Sequence, residues 1–274
     1  MSLGIIIKAP AGVVLAAESR VTLSTPTGIA NQMLHSNFDN ANKLFTFSEP
    51  YNDIGVVTYG AAAIGSGTVE TFIPEFETTL PIPDGGNKRK ISVKEFAESL
   101  SAFFLAQWNL VMPPVNTYTG QDMTFVVAGF DSNEPYGKVY AFNIPRTPVP
   151  IEQSPKVNNQ HQFGITYGGQ KEIVDRVVLG IDTRLRMSLL QGGFIAPDKA
   201  QQFNMLCAQF QLQMPVQFMP MQDCVNLATL FIKTTIESQN LTVGLRGCGG
   251  AIDVAIITRK RPLQFVKKKE IVVN

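Results

Sequence analysis

The chain opens with Met1-Ser-Leu-Gly-Ile-Ile-Ile-Lys-Ala-Pro-Ala-Gly-Val-Val-Leu-Ala-Ala-Glu-Ser-Arg20. Two apolar runs rich in β-branched residues, 4–8 and 13–17, flank Pro10-Ala-Gly12, a pattern typical of a β-hairpin. If Met1 is removed, Ser2 becomes the amino terminus and carries both a hydroxyl and a free α-amine. A nucleophile and a base then share one residue, which makes Ser2 the first candidate catalytic residue.

Composition narrows the class of protein. The chain has 274 residues and a net charge of +1, so no basic field directs it to nucleic acid or anionic lipid. Charged residues make up 16% of the sequence, below the ~25% usual for soluble domains, while 45% of residues are hydrophobic. This balance predicts a subunit whose surface is partly covered by partners, and therefore a homo-oligomer.

The sequence gives little indication of a metal site or of a membrane span. The three cysteines form no CxxC pair and only two histidines are present, so we predict neither a metal nor a cofactor. No basic segment precedes a long apolar run at the start, and no apolar stretch reaches the ~20 residues of a membrane span. We therefore expect a cytoplasmic protein that binds neither membrane nor nucleic acid.

The order of predicted elements indicates a layered α+β domain spanning residues 1–274. Hairpin-like strands are separated from pairs of helices rather than alternating with them one by one. Ser92 and Glu95 form a capping-box pattern that predicts a helix through about Met112. Residues 24–42 and 145–159 are predicted as irregular segments, and residues 170–191 as one helix.

Five motifs, in order, carry a resemblance to a known family. They are Gly4-Ile-Ile-Ile-Lys…Gly12-Val-Val-Leu-Ala-Ala-Glu-Ser-Arg20, Asn42-Lys-Leu-Phe45, Tyr59-Gly-Ala-Ala-Ala63, Val126-Val-Ala-Gly-Phe-Asp131 with Val139-Tyr140, and Cys248-Gly-Gly-Ala-Ile-Asp-Val254. Together they resemble proteasome β-type subunits, which belong to the N-terminal-nucleophile (Ntn) hydrolases and are threonine proteases. The resemblance implies a four-layer αββα sandwich, assembly into a ring or partial ring, and an unfoldase among the candidate partners.

The resemblance also implies roles for five residues. Ser2 is the implied nucleophile, and Glu18, sixteen positions later, is the implied acid. Lys43 matches the family's catalytic lysine, the Gly60 amide faces the oxyanion, and Arg20 supports the acid–base pair. The expected activity is hydrolysis of peptide or amide bonds, as in an N-terminal serine/threonine-type peptidase.

The sequence departs from the family at several positions. The nucleophile is serine instead of threonine, and Glu18 replaces an aspartate. The segment between Arg20 and Lys43 is longer, Leu245 stands where the family has an aspartate, and Asn143-Ile-Pro145 replaces Asp-Pro-Ser. Two alternatives therefore stay open: a non-catalytic scaffold or assembly subunit that retains Met1, and an amidase or acyl-transfer enzyme acting on a small substrate.

Overall fold

The computed structural model describes residues 2–28, 33–83 and 90–271. In chain order the strands are β1 (Leu3–Ala9), β2 (Gly12–Glu18), β3 (Val21–Pro26), β4 (Met33–Phe38), β5 (Leu44–Thr46), β6 (Ile54–Gly60), β7 (Ala63–Ile64), β8 (Gly67–Thr68), β9 (Met123–Gly129), β10 (Lys138–Ile144), β11 (Thr147–Glu152), β12 (Gly164–Gly169), β13 (Ile252–Thr258) and β14 (Arg261–Lys267). The α-helices are α1 (Val69–Thr79), α2 (Val93–Val111), α3 (Glu172–Val178), α4 (Thr183–Gln191), α5 (Ala200–Gln209) and α6 (Met221–Asn240).

Two antiparallel five-stranded sheets form the centre of the molecule. The first has the strand order β12-β1-β2-β13-β14, and the second has the order β11-β10-β9-β6-β5. Helices α1 and α2 pack on the second sheet, whereas α3 and α6 pack on the first. A third cluster, which includes Leu15, Val57 and Val126, lies between the sheets. The predicted αββα sandwich is confirmed.

The opening hairpin is mainly apolar because it is buried on both faces, and its charged residues are Lys8, whose ammonium donates to the Ser154 carbonyl, and Glu18. Ile5 and Ile7 of β1 pack on the helix side, while Ile6 packs towards the second sheet. A sheet with one solvated face would instead show alternating polar residues. The predicted turn is confirmed as well, since Ala9 pairs with Gly12 across it.

Helix α2 begins as its sequence predicts. The Ser92 hydroxyl accepts a hydrogen bond from the Glu95 N–H, and the Glu95 carboxylate accepts one from the Ser92 N–H. These bonds satisfy two backbone donors that the first turn of a helix leaves without an intrahelical partner. The helix then buries Phe96, Phe104 and Trp108 against the second sheet.

Three of the local predictions are wrong. Within residues 24–42, β4 pairs with β3 to form a hairpin, and within residues 145–159, β11 adds an edge strand next to β10. The segment 170–191 is not one helix, because Gly180, with φ +74°, separates α3 from α4. Helices α4 and α5 bury none of their residues. The assignment of a single domain to residues 1–274 stays a prediction.

Candidate functional site

Ser2 lies immediately before β1 and is only 4% exposed. The pairing of β1 with β12 ends at Leu3, opposite Gly169, so Ser2 is one residue beyond the ladder. Its carbonyl oxygen accepts a hydrogen bond of 2.7 Å from the Gln170 N–H. The next amide, that of Leu3, donates to the Glu18 carboxylate at 3.3 Å. The Ser2–Leu3 peptide is therefore held on both sides. Met1 lies outside the described residues.

Glu18 ends β2, and its side chain is buried, with the residue 1% exposed. Besides Leu3, it accepts hydrogen bonds from the backbone N–H groups of Arg20 at 2.7 Å and Gly249 at 3.1 Å, and from the ammonium of Lys43. A buried carboxylate is tolerated only when donors of this kind replace its hydration. The carboxylate thus joins the start of β1, the end of β2 and the 248–250 turn.

Lys43 is 5% exposed and precedes β5, at the edge of the second sheet. Its ammonium donates to Glu18 of the first sheet and also to the Arg20 carbonyl. The Lys43 carbonyl is fixed in turn by the Thr58 N–H at 2.9 Å. Burial lowers the pKa of the Lys43 ammonium, while Glu18 opposes that shift. The Lys43–Glu18 pair therefore spans the two sheets next to Ser2.

Arg20 contributes its backbone to this cluster, whereas its side chain points elsewhere. The guanidinium forms two hydrogen bonds to Asp39, at 2.6 and 2.7 Å. It also lies against Gly249 so closely that a side chain at position 249 would collide with it. The Arg20 guanidinium holds the pKa of Asp39 below its usual range. Arg20 therefore orders the loop that carries Asp39 and the turn that carries Gly249.

Gly60 ends β6 with φ +93°, a backbone conformation that residues with a Cβ seldom adopt. A Cβ at this position would overlap the backbone carbonyl of Asp122, which already accepts the Ala61 N–H at 3.0 Å. Only glycine fits without displacing β9. Gly60 lines a cavity together with Ser2.

We expect Gly60→Ala to destabilise the fold by about 2–4 kcal/mol, because left-handed strain adds to a collision with Asp122. Gly193→Ala is the matched control, since Gly193 has φ +72° but a Cβ added there would meet no atom within 4 Å. The control should lose only about 1 kcal/mol from strain. Urea unfolding of both variants measures the difference, and equal losses would show that the Asp122 contact is unimportant.

Ser2 contributes to the lining of two cavities. One has a volume of ≈ 80 Å³ and is mainly apolar, with Ala61, Ala62 and Val69 among its lining residues. The other has a volume of ≈ 300 Å³ and includes Gln170. Tyr59 lines both, and burial raises the pKa of its phenol to about 12, so it stays protonated at neutral pH. Both cavities therefore border the candidate nucleophile.

Cys248 is fully buried, and burial raises the pKa of its thiol, which therefore stays protonated. In the part of the chain that the structure describes, no group of three or more His, Cys, Asp or Glu side chains could hold a metal ion. Within the same residues, no helix combines the length and apolar character needed to cross a membrane.

The structure brings together all five residues that the sequence singled out, and it adds others. Asp39, Gln170 and Gln239 were missed, because their partners lie far away in the sequence and no motif marks them. Gly249 could have been found, since it belongs to the Cys248-Gly-Gly250 turn. Leu245 is exposed, whereas the Asn143 side chain accepts a hydrogen bond from Thr124, a residue of the larger cavity.

Comparison with known proteins finds matches among solved structures only. No family model matches the chain. No curated protein matches it either. Among solved structures, a Gly-1 mutant of Anbu from Hyphomicrobium sp. strain MC1 superposes with a TM-score of 0.55 and 13% identity, covering 98% of this chain and 86% of Anbu. A second Anbu structure from the same organism gives a TM-score of 0.54 and 12% identity, with coverage of 97% and 86%.

These neighbours correct the family suggested by the sequence. The resemblance to proteasome β-type subunits is wrong, because the structural neighbours are Anbu proteins. The five motifs lie mainly in buried strands and in the turns between them, so they reflect the packing of the shared layers more than membership of one family. At 13% identity the similarity establishes the fold alone. The chain has a proteasome-like Ntn-hydrolase fold.

Proposed function

We propose that this protein is an N-terminal-nucleophile hydrolase that cleaves peptide or amide bonds with Ser2 after loss of Met1. One observation carries the proposal: the buried Glu18–Lys43 pair is hydrogen-bonded to the peptide that follows Ser2. Burying two charges is costly, and a merely structural pair could often be replaced by apolar residues. Its position beside a buried serine that lines two cavities supports a catalytic role.

The chemistry begins with the α-amine of Ser2, whose pKa in model peptides is ~8. It takes the hydroxyl proton, directly or through one water, as the oxygen attacks the substrate carbonyl. The nearby Lys43 ammonium lowers the pKa of this amine by like-charge repulsion, while Glu18 holds Lys43 in place. The Gly60 N–H donates to the developing oxyanion, a contact whose loss typically costs roughly 2.7–4 kcal/mol.

The second half of the reaction returns the enzyme to its starting state. The protonated amine gives its proton to the leaving amine as the C–N bond breaks, and an ester to Ser2 remains. Water then attacks that ester, and the amine accepts a proton from the water. The amine returns this proton to the serine oxygen as the C–O bond breaks, which releases a carboxylic acid and restores the hydroxyl and the free amine. The smaller, apolar cavity suits a side chain next to the scissile bond, whereas the larger one suits the departing segment.

Two measurements test this proposal. Intact-mass spectrometry shows whether Met1 is absent, and retention of Met1 in active material would exclude the Ser2 mechanism. A panel of fluorogenic peptides then tests peptide cleavage. Turnover of small amides without peptide cleavage would favour the amidase alternative. Retained Met1 without any turnover would favour a scaffold or assembly subunit.

We propose that this chain associates with further copies of itself through helices α4 and α5. Helices α4 and α5 bury none of their residues, and they carry exposed apolar side chains, namely Leu185, Met187, Met205 and Leu206. Large apolar patches on a surface usually mark interaction sites. An unfoldase partner and a cytoplasmic location stay predictions.

Light scattering coupled to size exclusion should therefore give a mass that is a multiple of the 30.0 kDa protomer. Leu206→Lys on α5 should lower the measured mass towards that of one protomer, because it places a charge in the proposed contact between copies. Leu110→Lys on α2 is the matched control, since Leu110 is also exposed but lies on another helix. A monomeric wild-type chain at micromolar concentration would contradict self-association.

A further inference from the structure

Ser2 needs an anchor other than the chain that precedes it. Once Met1 is gone, Ser2 is a chain terminus, and termini are poorly ordered unless they are tied down. The β1–β12 ladder stops at Leu3, so regular strand pairing does not reach Ser2. The bond from the Gln170 N–H to the Ser2 carbonyl extends the pairing by one residue. The position of Gln170 therefore bears directly on the position of Ser2.

Gln170 is itself held by a side chain from another layer. Gln239 lies in the last turn of α6, and its side-chain nitrogen donates to the side-chain oxygen of Gln170. The side-chain oxygen of Gln239 accepts the Cys248 N–H at 2.9 Å. The next amide, that of Gly249, donates to Glu18. Glu18 then accepts the Leu3 N–H, which closes a circuit around the Ser2–Leu3 peptide.

The donor or acceptor character of each group fixes which atom of the Gln239 side chain faces Cys248 and which faces Gln170. A backbone N–H can only donate, so the Cys248 amide requires the oxygen of Gln239 to face it. The nitrogen of Gln239 must then face Gln170, and only the oxygen of Gln170 can accept from it. Each link thus determines the next: Gln239 must supply both a donor and an acceptor, whereas the Gln170 side chain supplies an acceptor.

We propose that Gln170 and Gln239 are positioning residues for Ser2. Neither needs to touch the reacting atoms. Through the Ser2 carbonyl they fix the residue that carries the hydroxyl and the amine, and through Cys248 and Gly249 they fix it relative to Glu18. For its effect on turnover, this inference rests on the function proposed above, whereas its effect on local structure does not.

The test uses two near-isosteric substitutions, Gln170→Met and Gln239→Met. Gln170→Met keeps the backbone N–H that binds Ser2 and removes only the side-chain link. We expect each variant to lower kcat by about 10- to 100-fold, since displacement of a reacting group by about 1 Å can cost 10²-fold. In Gln239→Met, which changes the lining of neither cavity beside Ser2, KM should change less than kcat, because the loss is in alignment and not in binding. The double variant should be no worse than either single variant.

Gln222→Met is the matched control, because Gln222 lies in the first turn of the same helix and is exposed, with Asn226 as its partner at 3.0 Å. It should retain wild-type kcat, and thermal melts should show all variants folded. Wild-type kcat in Gln239→Met would overturn the proposal. So would a double variant whose loss equals the product of the single losses, since independent effects multiply.

Hydrogen exchange separates failure of this proposal from failure of the proposed function. Gln239→Met should speed exchange of the Gln170 and Cys248 amides by about tenfold or more, because local opening becomes easier. Gln222→Met should not. If the wild type cleaves no substrate, the proposed function fails, yet the exchange rates still decide the proposal. Unchanged exchange in Gln239→Met would then reject it.

Discussion

Ser2→Ala should abolish hydrolysis while leaving the fold intact. Alanine removes the attacking oxygen but keeps the backbone carbonyl that Gln170 binds, so the start of β1 should stay in place. Removal of the nucleophilic serine of a catalytic triad costs on the order of 10⁶-fold in kcat, so loss of Ser2 is expected to lower kcat/KM by at least about 10³-fold. That factor corresponds to roughly 4 kcal/mol of transition-state stabilisation. Hydrolysis of the best peptide or amide substrate measures the effect.

Two companion variants make this result specific. Ser2→Thr keeps a hydroxyl and an α-amine on the same residue, so it should retain measurable turnover. Ser36→Ala removes an exposed hydroxyl on the β3–β4 hairpin and should behave as wild type. Full activity in Ser2→Ala would show that any hydrolysis by this chain uses another nucleophile, and the mechanism proposed for Ser2 would be abandoned.

Removing one partner of the Glu18–Lys43 pair should destabilise the fold and stop turnover together. Four donors converge on the Glu18 carboxylate, and a glutamine there offers one acceptor oxygen and an NH₂ group that faces those donors. Glu18→Gln also leaves the Lys43 ammonium buried without its counter-ion. Loss of one member of a buried pair typically costs 3–5 kcal/mol, so we expect a loss of about that size.

Lys43→Met should cost less than Glu18→Gln, because Glu18 keeps three backbone donors after the ammonium is removed. The double variant should be more stable than the sum of the single losses implies, since the two residues interact. Urea unfolding measures all three. Lys94→Met is the control, because its pair with Glu98 is exposed on α2 and is worth at most about 0.5 kcal/mol. A loss in Lys43→Met no larger than in this control would contradict a structural role for the buried pair.

Much of the fold could be predicted because its signals are local. The opening runs are mainly apolar and rich in β-branched residues, which predicted the hairpin, and the Ser92–Glu95 box placed the start of α2. The errors lie where local composition misleads. The segments that contain β4 and β11 carry polar residues and prolines, and pairing with β3 and β10 stabilises them as strands nonetheless.

The candidate site likewise contains some features that the sequence predicts and others that it does not. The sixteen-residue separation of Ser2 and Glu18 follows from one hairpin, because Gly4 lies opposite Ala17 in its register. The hairpin itself therefore brings the start of β1 to the end of β2. Gly60 was singled out because Tyr59-Gly-Ala-Ala-Ala63 resembles a family motif, and its position at the end of β6 lets it line a cavity with Ser2. These features depend on strand geometry, which the order of residues encodes directly.

The sequence by itself therefore determined the layered fold, the opening hairpin and the proximity of Ser2 to Glu18. Only the tertiary structure decided which distant groups complete the site: Lys43 from the second sheet, Gln239 from α6 and Gly249 from the turn before β13. Comparison of the structure with solved ones also gave Anbu proteins as neighbours, which corrected the family suggested by the sequence. The physical reason is that a strand or helix records its own periodicity, whereas contacts between layers depend on how those layers pack.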